Sequence, residues 1–186
     1  MRGTVILATR RHARSVRPVL GELASAAREL ASEGVMLDVL VVDTDVEGDG
    51  RTVALAREAA TEMGLALDVV ACAASGAWQT QRAAFSHALK HGDPEFLVTL
   101  DPAGHHDARQ LPDLIRSFRA SGSGLTIGSR WVRGGTAPGT PALRALLSRA
   151  ASRLVAHAPG LRRVHDVTTS FRVIRPAAAA LVGAHP

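Results

Sequence analysis

Charged and hydroxyl-bearing side chains gather at the ends of apolar runs in this 186-residue chain. TVILAT leads into Arg10, Arg11 and His12. LDVLVVD closes on Asp43, with Thr44 and Asp45 behind it. FLVTL is followed by Asp101, with His105 and His106 shortly after, and GLTIG is followed by Ser129, Arg130 and Trp131. Each residue type names a chemistry. Guanidinium groups at Arg10, Arg11 and Arg130 can fork onto phosphate oxygens. A carboxylate at Asp43 can accept hydrogen bonds from a nucleobase or ribose; its plain alternative is a turn-capping residue. Asp101 can hold a divalent cation with His105 as a second ligand, a mixed oxygen and nitrogen set that suits Mn or Zn better than Mg. The alternative for the two histidines is a solvated loop.

Such residues act together only if the elements behind them are aligned. Short apolar runs at 4–9, 37–43, 67–73, 96–101 and 124–128 predict strands. Apolar residues at helical spacing predict helices over 15–33, 51–63, 78–90, 109–120 and 142–157, the last carrying Leu143, Leu146, Leu147 and Leu154. Strands of this kind alternating with amphipathic helices predict an α/β fold, with a mainly parallel sheet covered on both faces and right-handed crossovers. In open sheets of this kind ligands bind beyond the carboxyl ends of the strands. Asp43, Asp101 and Arg130 are therefore expected to share one pocket. The segment 131–141, rich in Gly, Pro and Thr, predicts a working loop. No linker divides residues 1–186, which read as a single domain.

Composition narrows the partners. The formal net charge of +5 favours anionic ones. Aromatics are only 3% of residues, too few for the stacking platforms of single-strand nucleic-acid binders, so nucleic acid is not expected. Cys72 is the only cysteine, which excludes an internal disulfide and a cysteine-rich metal site; it reads as a buried strand residue. The sequence has no signal-peptide pattern and no apolar stretch of the roughly 18 residues that a spanning helix needs, so a cytoplasmic place with at most peripheral membrane contact is expected. Neither a G-x-G-x-x-G turn, a Walker loop nor a G-x-S-x-G elbow is present.

The ordered segments LVVD, VTLD, IGSRWVRGG and DVTTSFR resemble those of family 2 inverting glycosyltransferases, in particular the dolichol- and polyprenyl-phosphate mannose synthases. The resemblance runs from about Thr4 to Pro176 and is most specific at Gly128–Trp131, Gly134–Gly135, Arg144, Ser148, Asp166, Thr168, Phe171 and Arg172. It implies a GT-A-like three-layer sandwich and transfer of a sugar, with inversion, from a nucleotide-sugar donor to a lipid-phosphate or small-molecule acceptor. The catalytic residues it implies are Asp101, Arg130 and Asp166. Those implied for the nucleotide are Thr9, Arg10, Arg11, Asp43, Arg130 and Arg172, with Arg130, Arg144 and Arg172 also candidates for an acceptor phosphate. It further implies a divalent cation, Mn or Mg, at Asp101 and His105.

The chain departs from the family pattern at functional positions. Ala8–His12 replaces P-x-Y-N-E, Thr44 replaces the second Asp of D-D-x-S, Ala103 replaces the second Asp of D-x-D, and Thr169–Ser170 stand where S-G is usual. The sequence also ends at Pro186, earlier than typical relatives. The departures keep two alternatives open: a degenerate relative serving as a binding or partner subunit, and an enzyme repurposed on the same scaffold.

Overall fold

The computed structural model describes residues 1–73, 76–132, 135, 141–157 and 164–184. Strands and helices alternate: β1 (Arg2–Thr9), α1 (Val16–Ala31), β2 (Met36–Asp43), α2 (Arg51–Met63), β3 (Ala66–Ala71), α3 (Ala77–His91), β4 (Phe96–Leu100), α4 (Leu111–Ser121), β5 (Leu125–Ile127), α5 (Ala142–Ala156), β6 (Arg172–Ile174) and α6 (Pro176–Ala184). The predicted elements are all present, with ends moved by a residue or two. Cys72 is buried one residue beyond β3, and its N–H donates to the Asp43 carbonyl. Of the loop read at 131–141, most lies outside the described residues.

The six strands form one sheet in the order β3-β2-β1-β4-β6-β5. β1 to β4 are mutually parallel, whereas β6 runs antiparallel to both β4 and β5. Neither β6 nor α6 was expected. A three-residue strand opened by an arginine is too short and too polar at its start to stand out as an apolar run.

Register decides what this sheet can do. Thr9 pairs with Asp43, Asp43 with Ala71, and Leu7 with Leu100, so the first four strands finish along one edge. Because β6 is reversed, it begins at that edge, with Arg172 opposite Thr99 of β4 and Ile127 of β5. The loops after β1, β2, β4 and β5 and the segment before β6 therefore meet at the same end of the sheet.

Alternation along each strand sends side chains to two separate cores. Val5, Leu7, Val39, Val41 and Val98 face α1, α2 and α4, where the Phe96 and Phe118 rings meet at 6.2 Å between centroids. Ile6, Leu40, Val42 and Leu97 face α3 and α6. Each fully buried Leu, Val or Phe side chain contributes about 1.5–3 kcal/mol. Outside the cores, Arg116 of α4 bonds Glu29 of α1 and Glu33 in the turn after it. The result is three layers, with the working edge on the carboxyl side.

Candidate active site

A cleft of about 600 Å³ opens at that edge, on the side of the sheet covered by α3. Its walls come from Thr9 at the end of β1, Arg10 and His12 after it, Thr44 after β2, the first turns of α3, and Thr168–Ser170 with Arg172. Among the described residues, none that line it carries a carboxylate. Thr80 and Gln81 of α3 join the lining without having been foreseen. Only the rule that a helix following a parallel strand starts beside the same crevice could have pointed to them.

The turn after β1 sorts its basic residues. Arg11 takes a left-handed backbone conformation, φ 58°, unusual for a residue with a side chain. The Arg10 N–H donates to His12 Nδ1 at 2.8 Å, and the Arg11 guanidinium reaches Asp45 at 3.0 Å. Arg10 and His12 consequently line the cleft, while Arg11 is occupied outside its lining. Asp43 is not a lining residue either. Its Oδ1 accepts the Asp45 N–H at 3.1 Å, the turn-capping role.

Arg130 and Asp166 turn out to be each other's partners. The Asp166 side chain has 0% exposure, and the Arg130 guanidinium grips it in a fork, Nε to Oδ2 at 2.8 Å and Nη2 to Oδ1 at 3.0 Å. The Arg130 N–H adds a third bond at 3.2 Å. Thr168 Oγ1 accepts from Arg130 at 2.7 Å, and Ser148 Oγ of α5 sits 2.6 Å from Thr168 Oγ1. Burial works to raise the Asp166 pKa, but the hydrogen bonds and charge of Arg130 prevail and hold it below the usual carboxylate range. This departs from the expectation of a phosphate ligand at Arg130 and a catalytic residue at Asp166: the Nε–Nη2 edge of the guanidinium is already filled, the carboxylate is a weak base, and neither residue lines the cleft.

The glycines of the neighbouring motif have packing reasons. A Cβ on Gly128 would meet the Phe171 ring at 2.5 Å, and one on Gly135 would meet the Ser129 and Arg130 carbonyl oxygens at 2.6 and 2.7 Å. Both lie far inside normal contact distance, so Gly128 lets Phe171 close on β5 and Gly135 lets its own backbone approach the Ser129 and Arg130 carbonyls.

Asp101, just beyond β4, is also outside the lining. Its Oδ1 accepts the Ala103 N–H and its Oδ2 meets His105 Nδ1, each at 2.8 Å. Burial pushes its pKa up, and the bonds from His105 and Ala103 more than reverse that, leaving it lowered. Asp43, Asp101 and Arg130 thus sit on one edge without sharing one pocket. His106 stacks on Phe171, with ring centroids 5.6 Å apart, and its Nε2 lies 3.1 Å from Thr169 Oγ1. Burial pushes its pKa down, which favours the neutral ring.

Arg172 is the contrasting guanidinium. It is half-buried and lines the cleft, where Nε donates to the Thr169 carbonyl at 2.7 Å and Nη2 to the Val167 carbonyl at 3.0 Å. Among the described residues it makes no ion pair. Burial lowers its pKa, opposed only by the charge of Asp166, which Arg130 already holds.

Comparison with known proteins follows this geometry. Two solved structures superpose over 95% of the chain: S. aureus TarS 1-349, with a TM-score of 0.60, and S. aureus TarS, with a TM-score of 0.58. The fold is GT-A-like. At 17% identity these likenesses speak for fold alone, and the matched regions are 48% and 29% of the two TarS chains. In sequence, the chain is 36% identical over 93 residues to the polyprenol monophosphomannose synthase of Mycolicibacterium smegmatis (strain ATCC 700084 / mc(2)155). That stretch is half of this chain and about a third of the synthase, 34%. No family model matches. The GT-A-like chain therefore resembles polyprenyl-phosphate mannose synthases in sequence, as its motifs suggest.

The buried pair makes a pH-dependent prediction. Asp166→Asn leaves Arg130 without its counter-charge and should cost about 3–5 kcal/mol of unfolding free energy at pH 7. The folded pKa of Asp166 lies below its unfolded value near 3.9. The contribution is therefore fully present above about pH 4 and is lost as pH falls through the folded value. Urea denaturation of both proteins should show the gap narrowing on acidification below about pH 4; a gap unchanged from pH 7 to pH 3 would contradict the assignment.

Proposed function

We propose that the chain is an inverting glycosyltransferase that moves a sugar from a nucleotide-sugar donor to a polyprenyl phosphate at a membrane surface. The observation that carries this reading is Arg172, a half-buried guanidinium with no carboxylate partner among the described residues, lining a cleft that Arg10 makes more positive. An uncompensated charge in such a place is relieved by an anion of matching fork geometry, and phosphate has it. The motif resemblance and the 36% identity to a polyprenol monophosphomannose synthase support the sugar and the lipid phosphate.

The acceptor fits the titratable groups. A phosphate monoester is already ionised near pH 7, so its oxygen attacks the anomeric carbon without surrendering a proton. The nucleoside diphosphate leaves from the opposite face, which inverts the configuration. A hydroxyl acceptor would need a base; among the described residues the cleft lining has no carboxylate, and the Nδ1 lone pair of His12 is taken by the Arg10 N–H. In this account Arg130 and Asp166 act as positioning residues for the segment leading to Arg172.

α5 supports a membrane-side acceptor. Ser148 and Ser152 form its buried face, whereas Leu143, Leu146, Leu147 and Leu154 are 68%, 64%, 61% and 76% exposed. At 100° per residue these leucines form one stripe, flanked on both sides by exposed Arg144, Arg149 and Arg153. A leucine ridge between arginines matches an interfacial helix, with apolar side chains among acyl chains and guanidiniums at anionic headgroups. Arg149 lies over the Trp131 ring at 4.6 Å, and Ser148 meets Thr168 on the cleft wall, so this face is coupled to the cleft.

Two measurements test the proposal. Incubation with UDP-, GDP- and dTDP-sugars and polyprenyl phosphate in vesicles should yield a glycosyl polyprenyl phosphate of inverted anomeric configuration from at least one donor; no saturable binding of any donor would contradict the reading. In sedimentation with anionic vesicles, the unmodified chain should pellet, while the Leu146→Glu, Leu147→Glu double variant should stay in the supernatant. Equal sedimentation of the two would remove α5 from the interface.

A further inference from the structure

Resting on the reading of the cleft as a diphosphate site, we propose that it holds the donor's diphosphate without a divalent cation, with guanidinium groups in the cation's place. The family pattern has a D-x-D pair of carboxylates after β4, and the resemblance implies a cation there at Asp101 and His105; the residues present do not fit one. Asp101 stands at the first position of that pair, and Ala103 offers a methyl group at the second. Both Asp101 oxygens are engaged, one by the Ala103 N–H and the other by His105, each at 2.8 Å. One carboxylate and one imidazole fall well short of the near-octahedral oxygen-rich set that Mg or Mn takes. Among the described residues no three His, Cys, Asp or Glu side chains are grouped to hold a metal.

Fixed positive charge is what this edge has instead. Arg10 and Arg172 line the cleft with no carboxylate beside them in the lining. Arg172 is held from behind by the carbonyls of Val167 and Thr169, which set the plane of its fork. The three remaining N–H bonds, two on Nη1 and one on Nη2, have no protein partner among the described residues. Ser170, also in the lining, adds a hydroxyl.

The charge balance of the transfer suits this arrangement. The bond between the anomeric carbon and the diphosphate oxygen breaks, and its electron pair stays on that oxygen. An acceptor phosphate oxygen supplies the pair for the new bond, and no proton moves. The leaving diphosphate gains one negative charge, and a guanidinium held in place beforehand meets it without reorganisation.

Calorimetric titration of the full chain with GDP, UDP and dTDP, once in excess EDTA and once with MnCl2, tests the inference. At least one nucleotide should bind in EDTA with a Kd within about twofold of its value in Mn. Arg172→Met should weaken that binding by at least about tenfold, the loss of charge-assisted hydrogen bonds, and Arg172→Lys by less. Circular dichroism checks that the variants fold; if Arg172→Met does not, Arg172→Lys and the EDTA comparison on the unmodified chain decide. Binding that requires Mn, or that Mn tightens by more than about twofold, overturns metal independence and leaves the transfer reading standing. Arg172 variants that bind like the unmodified chain overturn the inference as well. No binding in either condition overturns both readings.

Discussion

Asp166 exposes no side-chain surface, and a carboxylate so placed stays ionised only if charge and hydrogen bonds replace the water it has lost. Arg130 supplies both, with its guanidinium fork and its own backbone N–H. Three pieces of chain far apart in sequence are drawn to that carboxylate: the tail of β5 through Arg130, the segment before β6 through Asp166 and Thr168, and α5 through Ser148. Ser152 extends the tie, its hydroxyl accepting the Val167 N–H at 3.2 Å. The outer wall of the cleft is thus built on one buried ion pair, and the wall carries Arg172 because Val167 and Thr169, anchored in this segment, present their carbonyls to it.

The two arginines divide structural and chemical roles. Arg130 has turned its Nε and Nη2 edge to Asp166, Thr168 and Ser148, so breaking the pair would leave a buried charge unmatched. Arg172 is half-buried and is held only by neutral carbonyls, which orient it without cancelling its charge. A fold that matches one buried guanidinium with a carboxylate and leaves a second unmatched at a cleft concentrates positive potential where an anion can enter. Of the carboxylates at that edge, Asp45 is held by Arg11, Asp101 by His105 and Asp166 by Arg130, while Asp43 caps its own turn.

Much of the architecture was legible in the sequence because its periodicities are local. Apolar runs of four to eight residues between amphipathic helices gave β1 to β5 and α1 to α5, and the rule for open parallel sheets identified the working edge. β6 was not legible, since three residues with an arginine at their head carry no apolar run, and its antiparallel insertion between β4 and β5 depends on long-range pairing. The pairing of Arg130 with Asp166 was hidden for the same reason: 36 residues separate them, and nothing local joins the two. Both were picked out as functional by type and motif, yet one saturates the other. The substitution at Ala103 was legible at once, whereas the engagement of Asp101 by its own loop required side-chain geometry. The leucines of α5 show a further limit, because helical spacing marks a stripe without saying whether protein, water or lipid faces it.

The central claim is that the unmatched charge at the sheet edge is a seat for a diphosphate. A crystal structure of the chain soaked with a nucleoside diphosphate in the presence of EDTA tests it most directly. The account predicts phosphate oxygens in the cleft at about 3 Å from the Arg172 guanidinium, with the Arg130–Asp166 fork intact. Phosphates seated away from Arg172, or an Arg130 that abandons Asp166 to bind them, would contradict it.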